Sequence, residues 1–396
     1  SLGDYLVTLS IKEDGSIIST QQMQRVNLAA GKDTIININS YLPKFKPGYE
    51  YHADIHFALS HDEAWAPKGF EVASNQFALT GLTNTQVQNK TSSVVSMKEV
   101  NNDYVFSGNN FQVKINKTNG ALSSYVWNGK EQIFAPLLPH FKRPLTDNDR
   151  RGWKSNRKLR QWYEPDLKLV NTSLGKYDGM SGSGMLVSSQ YSLINDSASV
   201  KVNYYISGNG TIKVEYALHV KPGLPNIPKV GMQGGIARQY DDITWFGRGP
   251  MENYIDRRYG FDAGVYSQNI YQFMEPYAVP QENGNRTDVR WMFLSNKNNE
   301  GLLVVADSLL SMSAWPYTEE NIETAKHTNK LKDAGYITLN IDLAQMGVGG
   351  NDSWSDVAAP LEQYQIPAKN YSYSFYLVPA KLKAAQINSL AKKIKF

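Results

Sequence analysis

The 396-residue chain predicts an all-β protein, and three observations carry that reading. Short runs of apolar residues alternate with polar ones at period two, as strands with one buried face do. Asp-Gly or Asn-Gly pairs at 14–15, 119–120, 128–129 and 209–210 separate these runs, and such pairs tolerate the positive φ angles of tight turns. The 24 Tyr and 8 Trp favour strands over helices.

Tyr5, Val7 and Leu9 begin the first strand, which ends at the Asp14-Gly15 turn. Ile36 and Ile38 alternate with asparagines, and Tyr51, Ala53, Ile55, Phe57 and Leu59 alternate with polar neighbours. Phe77 and Leu79 close a unit over residues 1–82, which reads as an immunoglobulin-like β-sandwich. Residues 83–100 are polar, carry little charge, lack a helical period and read as a linker. From 101 to 396 the pattern is one long β domain. Phe111, Val113 and Ile115 lead to Asn119-Gly120, and Val126-Trp127 to Asn128-Gly129. The clearest hairpin runs Val200, Val202, Tyr204, Ile206, then Asn209-Gly210, predicted as a type I′ turn, then Ile212, Val214, Tyr216, Leu218. Ile337 to Leu343 and Tyr371 to Leu377 predict two more strands. Only Lys381 to Phe396 reads as a helix, with Leu382, Ala385, Ile387 and Leu390 on a loose apolar face.

A net charge of +4, from 41 basic and 37 acidic residues, is near balance. One dense basic cluster (Arg150, Arg151, Lys154, Arg157, Lys158, Arg160) reads as a solvated loop or interdomain contact, so no nucleic acid is expected as a partner. The absence of cysteine excludes disulfides and thiol chemistry. No apolar run approaches the roughly 20 residues of a membrane span, and no membrane partner is expected. Ser1-Leu2-Gly3-Asp4 runs straight into strand-like sequence without a secretion signal, which predicts a piece of a longer polypeptide.

Three blocks concentrate residues that an ordinary sheet core does not need. Pro139 to Arg150 contains His140, Arg143 and the cluster Thr146-Asp147-Asn148-Asp149. Trp245-Phe246-Gly247-Arg248-Gly249-Pro250-Met251-Glu252-Asn253-Tyr254 is followed by Pro280-Gln281-Glu282-Asn283-Gly284-Asn285-Arg286-Thr287-Asp288-Val289-Arg290-Trp291. The third is Gln345-Met346-Gly347-Val348-Gly349-Gly350-Asn351-Asp352-Ser353-Trp354-Ser355. Charged groups beside large aromatics suit a sugar, whose C–H faces stack on rings while its hydroxyls bond to fixed polar groups; a salt-bridged turn fits the same residues. Asp and Asn at 147–149 serve equally as turn caps, and the cluster lacks the distal Glu and Gly of a calcium loop. Glu252, Asp256 and Glu282 suggest an acid–base pair, but nearby arginines (Arg248, Arg257 or Arg258; Arg286 or Arg290) are expected to pair with them and hold their pKa down. Trp354 follows a Gly-rich approach, which predicts a loop tip; a buried anchor is the other reading.

Together these blocks resemble the small-chain domain of glycoside hydrolase family 2 β-galactosidases, in the same order. Trp65-Ala66-Pro67-Lys68-Gly69 resembles the spacer that joins the catalytic barrel of those enzymes to the small chain, and Trp65 is expected to be a packing residue. The resemblance implies that residues 101–396 form a large two-sheet super-sandwich like that of galactose mutarotases. It places Trp354, His327, Asp352 and Asn148 towards the barrel as substrate contacts, and treats Arg248, Glu252, Asn253, Glu282, Arg286 and Arg290 as a structural motif. The family's catalytic glutamates sit on the barrel, and no barrel-like alternation of strands and helices occurs here, so no catalytic residue is expected. No cofactor or metal is expected in this chain; the family commonly binds Mg and Na ions in the barrel. The implied partners are a β-galactoside or related sugar and the chain's own barrel; family members commonly form dimers or tetramers, which leaves a homo-oligomer open here, and the sequence leaves the address open between bacterial cytoplasm and periplasm. Two further readings remain: a stand-alone carbohydrate-binding module, and a mutarotase-like enzyme using Glu282 and His327.

Overall fold

Tyr5–Glu13 (β1), Ser16–Gln22 (β2), Tyr51–Leu59 (β3) and Glu71–Ala78 (β4) pair into an antiparallel sheet of order β2-β1-β3-β4. The computed structural model describes residues 2–81, 94–179 and 182–394. The chain divides into two compact units, Ser1–Thr85 with Asp262–Val265, and Gln86–Phe261 with Tyr266–Phe396.

In the small unit, β1 and β3 run in unbroken register from Tyr5↔Leu59 to Glu13↔Tyr51. Period-two alternation puts Val7, Leu9 and Ile11 on one face, where they form the core with Tyr51, Ala53 and Met23. Asp14 (φ 49°) and Gly15 (φ 79°) are both left-handed, the geometry of a two-residue hairpin turn between β1 and β2. The alternation at Ile36 and Ile38 forms no strand. Asn37 Oδ1 accepts the Asn39 amide at 2.9 Å, which bends the backbone into the short 3-10 turn Asn39–Tyr41. Ile38, Tyr41 and Leu42 then pack on the sheet core while Ile36 is exposed. Trp65, expected to be packed, is also exposed and meets the edge of Phe70 at 5.5 Å.

Of the predicted linker, residues 83–93 lie outside the described residues. Ser96–Val100 is a strand, paired with Asp103–Ser107 from Ser96↔Ser107 to Val100↔Asp103. Among the described residues of the large unit, seventeen strands join in one antiparallel network that curls back on itself through second pairings. The hairpin Ala198–Ser207/Ile212–Val220 supplies much of the core: Val200, Val202, Tyr204, Ile206, Ile212, Val214, Tyr216 and Leu218 are all buried. Each such side chain contributes about 1.5–3 kcal/mol by leaving water. Its turn is not type I′. Gly210 alone is left-handed (φ 90°), the Gly210 amide bonds Ser207 O at 3.0 Å, and the Ser207 amide bonds Thr211 O at 3.0 Å. This is a three-residue loop closed by a left-handed glycine. Asn128-Gly129, with φ 48° and 76°, is the two-residue turn of the predicted kind.

Glu300–Trp315 explains how the network curls. Its first half pairs with Tyr371–Lys381 (Val304↔Leu377) and its second half with Tyr336–Gln345 (Met312↔Ile341). The strand is buried on both faces over most of its length, as a near-continuous apolar run requires. Two cross-strand rows position the polar interior described below. His140, Gly231, Asp342 and Ser311 are opposite one another on four neighbouring strands, and Leu138, Gln233, Asn340 and Ser313 form the adjacent row. The predicted C-terminal helix covers Ala384–Lys393, burying Ile387 and Ala391.

Candidate functional site

Arg143 is the anchor. Its side chain is 1% exposed, a position where a guanidinium survives only if nearly all its donors are used. Nε and Nη2 donate to the two carboxylate oxygens of Asp149 at 3.0 and 3.2 Å. Nη1 and Nη2 reach the carbonyls of Met346 (2.7 Å) and Gly347 (2.9 Å), more than 200 residues away in sequence. Burial works against the charge, and Asp149 outweighs it, so the guanidinium stays ionised. Asp149 also accepts Trp153 Nε1 at 3.2 Å and the Thr146 amide at 3.2 Å. The first and third sequence blocks are thereby joined.

Residues 347–358 form the loop that Arg143 holds at its start. Asp256 Oδ2 accepts the amides of Val348 (2.8 Å) and Gly349 (2.7 Å), which ties in the second block. Asn148 Nδ2 donates to Asp352 O at 3.0 Å and Ala358 O at 3.2 Å, spanning the loop from tip to exit. Asp352 caps the tip: Oδ1 accepts the Trp354 and Ser355 amides at 3.1 and 3.0 Å, and Oδ2 accepts Ser355 Oγ at 2.6 Å. These bonds, Ser355 foremost, hold the Asp352 carboxyl below its ordinary pKa. A Cβ on Gly350 would lie 2.4 Å from the Ala358 backbone, and one on Gly152 2.3 Å from Ala358 Cβ, so the loop is packed as well as bonded. Trp354 projects from this frame 75% exposed, which removes the buried-anchor reading. An indole fixed at its backbone and open at its face can cover the C–H face of a sugar ring at little entropic cost. Asn148 and Asp352 spend their bonded polar atoms on the loop itself.

In the Arg/Asn/Glu motif Glu252, Asn253, Glu282 and Arg286 are buried, while Arg248 and Arg290 are half-buried. Arg248 Nε meets Asp288 Oδ2 at 2.5 Å and Nη1 donates to Phe261 O at 2.7 Å. Asn253, fully buried, accepts the Thr287 amide (2.9 Å) and Thr287 Oγ1 (2.6 Å) and donates to Met251 O (3.0 Å). Glu252 accepts from Arg257, from Tyr277 OH at 2.5 Å and from the Gly284 amide at 2.7 Å. Pairing of Glu252 with a nearby arginine holds; the other two expected pairings do not. Asp256 bonds backbone amides rather than an arginine. Arg286 lies over the ring of Phe273 at 4.1 Å and donates to Phe273 O at 3.1 Å, while Arg290 lies over Phe246 at 4.9 Å and donates to Asp288 O at 2.6 Å. Glu282 accepts Tyr254 OH at 3.2 Å, and burial pushes its pKa up to about 8 against the pull of Lys229, Arg143 and the Gln345 amide. The expectation that an arginine holds Glu282 low is therefore corrected: desolvation dominates.

His327 sits on an exposed turn three residues beyond the helix Glu319–Thr324, and its ring shares no hydrogen bond with the Trp354 loop among the described residues. The helix itself reaches the first block: Glu323 Oε2 accepts the Leu145 amide at 2.6 Å, and Oε1 pairs with Arg150 at 3.2 Å. In the basic cluster Arg151, Lys158 and Arg160 likewise meet Asp147, Asp356 and Glu164.

A second polar group was not legible in the sequence. Lys229 Nζ donates to Asn340 Oδ1 at 2.8 Å and stands 3.7 Å from Asp342, both side chains at most 2% exposed. Gly231 leaves the room that Asp342 fills, since a Cβ there would lie 1.8 Å from Oδ1. Burial raises the Asp342 pKa to about 7, with Lys229 opposing. Thr338, Asn340 and Asp342 alternate with Ile337, Leu339 and Ile341 and read as a solvated face, yet the strand is buried on both sides. Among the described residues no three His, Cys, Asp or Glu side chains converge as metal ligands do.

The family profile "Beta galactosidase small chain" matches residues 107–377, and "Beta-galactosidase, domain 4" matches residues 1–80. The chain is 30% identical over 331 residues to a β-galactosidase of Priestia megaterium, an alignment covering 83% of the chain and 32% of that protein. It is 27% identical to a β-galactosidase of Psychromonas ingrahamii over 94% of the chain and 36% of the relative, and 26% identical to one from Streptococcus thermophilus over 96% and 36%. The chain thus spans about a third of the length of these relatives. Among solved structures, galactose 1-epimerase from Lactobacillus acidophilus aligns with 74% of the chain and all of the epimerase, at 8% identity and a TM-score of 0.38, a likeness too slight to transfer chemistry. Matched along most of its length by the small-chain profile, the chain belongs to the β-galactosidase small-chain family, with a β-galactosidase domain 4 ahead of it.

Proposed function

We propose that this chain is a non-catalytic part of a β-galactosidase and completes the sugar and aglycone site of a catalytic barrel that lies outside it. The observation that carries the reading is the exposed Trp354 on a loop braced by Arg143, Asn148, Asp256 and Asp352. The barrel's two glutamates cleave the β-galactoside with retention, and the chain contributes a stacking face and exclusion of water at the aglycone. The state of the chain's own carboxyls supports a non-catalytic role. Glu252 is committed to three donors, Asp256 to two backbone amides, and Glu282 is 3% exposed. An acid–base pair must face the glycosidic bond from both sides, and these groups face the interior.

A proton NMR time course of the isolated chain with lactose and freshly dissolved α-galactose tests this. The expected result is intact lactose and anomer exchange at the buffer rate. Lactose cleavage would sink the non-catalytic reading, and accelerated exchange would favour a mutarotase-like enzyme instead.

A further inference from the structure

A cavity of about 250 Å³ lies in the large unit, and no residue of the Trp354 loop lines it. Its walls come from the segment 271–283, from Tyr317 beside the helix Glu319–Thr324, and from the turn that follows that helix. Three tyrosines, Tyr271, Tyr277 and Tyr317, share the lining with Met274, Ile322 and Leu331. The walls are held in place from behind. Tyr277 OH donates to Glu252 at 2.5 Å, Trp315 Nε1 donates to Asn283 O at 2.9 Å, and Thr338 Oγ1 donates to Tyr317 O at 2.8 Å.

One deeply buried polar atom in this lining has no partner among the described residues. Asn283 is 6% exposed, and its Nδ2 donates to Gln281 O at 2.8 Å, which fixes the amide's orientation. Oδ1 is then buried without a partner among the described residues, an unmet acceptor that weakens the fold unless a donor reaches it. At the mouth, Glu275 and Thr328 supply further acceptors. A ligand that fits must present flat apolar surface to tyrosine rings and hydroxyl or amine donors to Asn283. A quaternary ammonium satisfies the rings but has no proton for Oδ1. Arg238, which donates to Tyr271 OH at 2.9 Å, is itself paired with Asp333 at 2.6 Å, so it fixes the ring without adding a free charge.

We propose that this cavity is a saccharide-binding site that takes one neutral pyranose ring, stacked on the tyrosines with a hydroxyl donated to Asn283 Oδ1. The site does not rest on the role assigned to Trp354.

The test is a titration of the chain with methyl β-D-galactopyranoside, read by saturation-transfer and chemical-shift NMR, on wild type and three variants. Tyr271→Ala removes a half-exposed ring, and its Tm, read alongside binding, is expected to stay within about 3 °C of wild type. Loss of stacking is expected to weaken binding about five-fold, and Asn283→Ala by a similar factor. Trp354→Ala is expected to leave this binding component unchanged, and a second, weaker component lost only in Trp354→Ala accords with the proposal. Three results overturn it: no saturable binding by wild type up to about 100 mM, a Kd near the weakest that specific contacts sustain; binding abolished by Trp354→Ala but untouched by Tyr271→Ala; or tetramethylammonium binding more tightly than the sugar.

Discussion

Arg143 shows how much a single side chain organises. Its guanidinium and the Asp149 carboxylate are each 1% exposed, so removing one partner leaves the other buried and unpaired. Arg143→Met is expected to cost about 3–5 kcal/mol in thermal unfolding and to loosen the Trp354 loop, whereas Arg143→Met with Asp149→Leu should recover much of that loss. A double variant no more stable than the single one would show that the bonds to Met346 and Gly347, not the ion pair, carry the energy. Glu282 makes the opposite case, an acid whose burial raises its pKa from 4.5 to about 8. Between those values the folded state holds a proton that the unfolded chain has released, so this group's contribution falls as pH rises through that window. Glu282→Gln keeps an acceptor for Tyr254 OH and has no charge to bury. Its stability relative to wild type should be near zero at pH 5 and rise by a few kcal/mol at pH 9, since each pKa unit is worth about 1.4 kcal/mol. A difference that is flat with pH would mean the carboxyl is ionised in the fold.

At the scale of elements, the Trp354 loop is a short segment whose shape is dictated by contacts from two distant regions of the chain, around Arg143 and around Asp256. Gly152 is one such contact, lying where a Cβ would stand 2.3 Å from Ala358 Cβ. Gly152→Ala should cost about 1–3 kcal/mol through overpacking, and adding Ala358→Gly should restore most of it, as measured by denaturant unfolding. If the second change brings nothing back, the loop has room to move. Elements that depend on their own residues were legible in the sequence. The hairpin of Val200 to Leu218 follows from alternation on both sides of a turn, because its pairing is local. Ile36 and Ile38 carry the same alternation and form no strand, since Asn37 offers the backbone a competing bond. The strand Ser96–Val100 was hidden for the complementary reason: only two of its five residues are apolar, and its pairing with the next strand defines it.

Over the whole molecule, the legible part was the all-β class and the set of blocks from which the candidate site is built. The tip position of Trp354 was readable from its Gly-rich approach. That Arg143 and Asp256 would brace the same loop was not, because they lie about 200 and 90 residues from it. Nor was the interior around Lys229 and Asp342, where period-two reasoning assigns a polar face to solvent that the curled sheet in fact encloses. On the proposed function, the braced loop presents Trp354 to a sugar held by another part of a β-galactosidase. Steady-state kinetics on the barrel-bearing enzyme with Trp354→Ala test it most directly. The predicted result is a KM for lactose raised about ten-fold, with a Tm within about 2 °C of wild type, because an exposed side chain contributes little to the fold. An unchanged KM, or a Tm that collapses with the substitution, would contradict it.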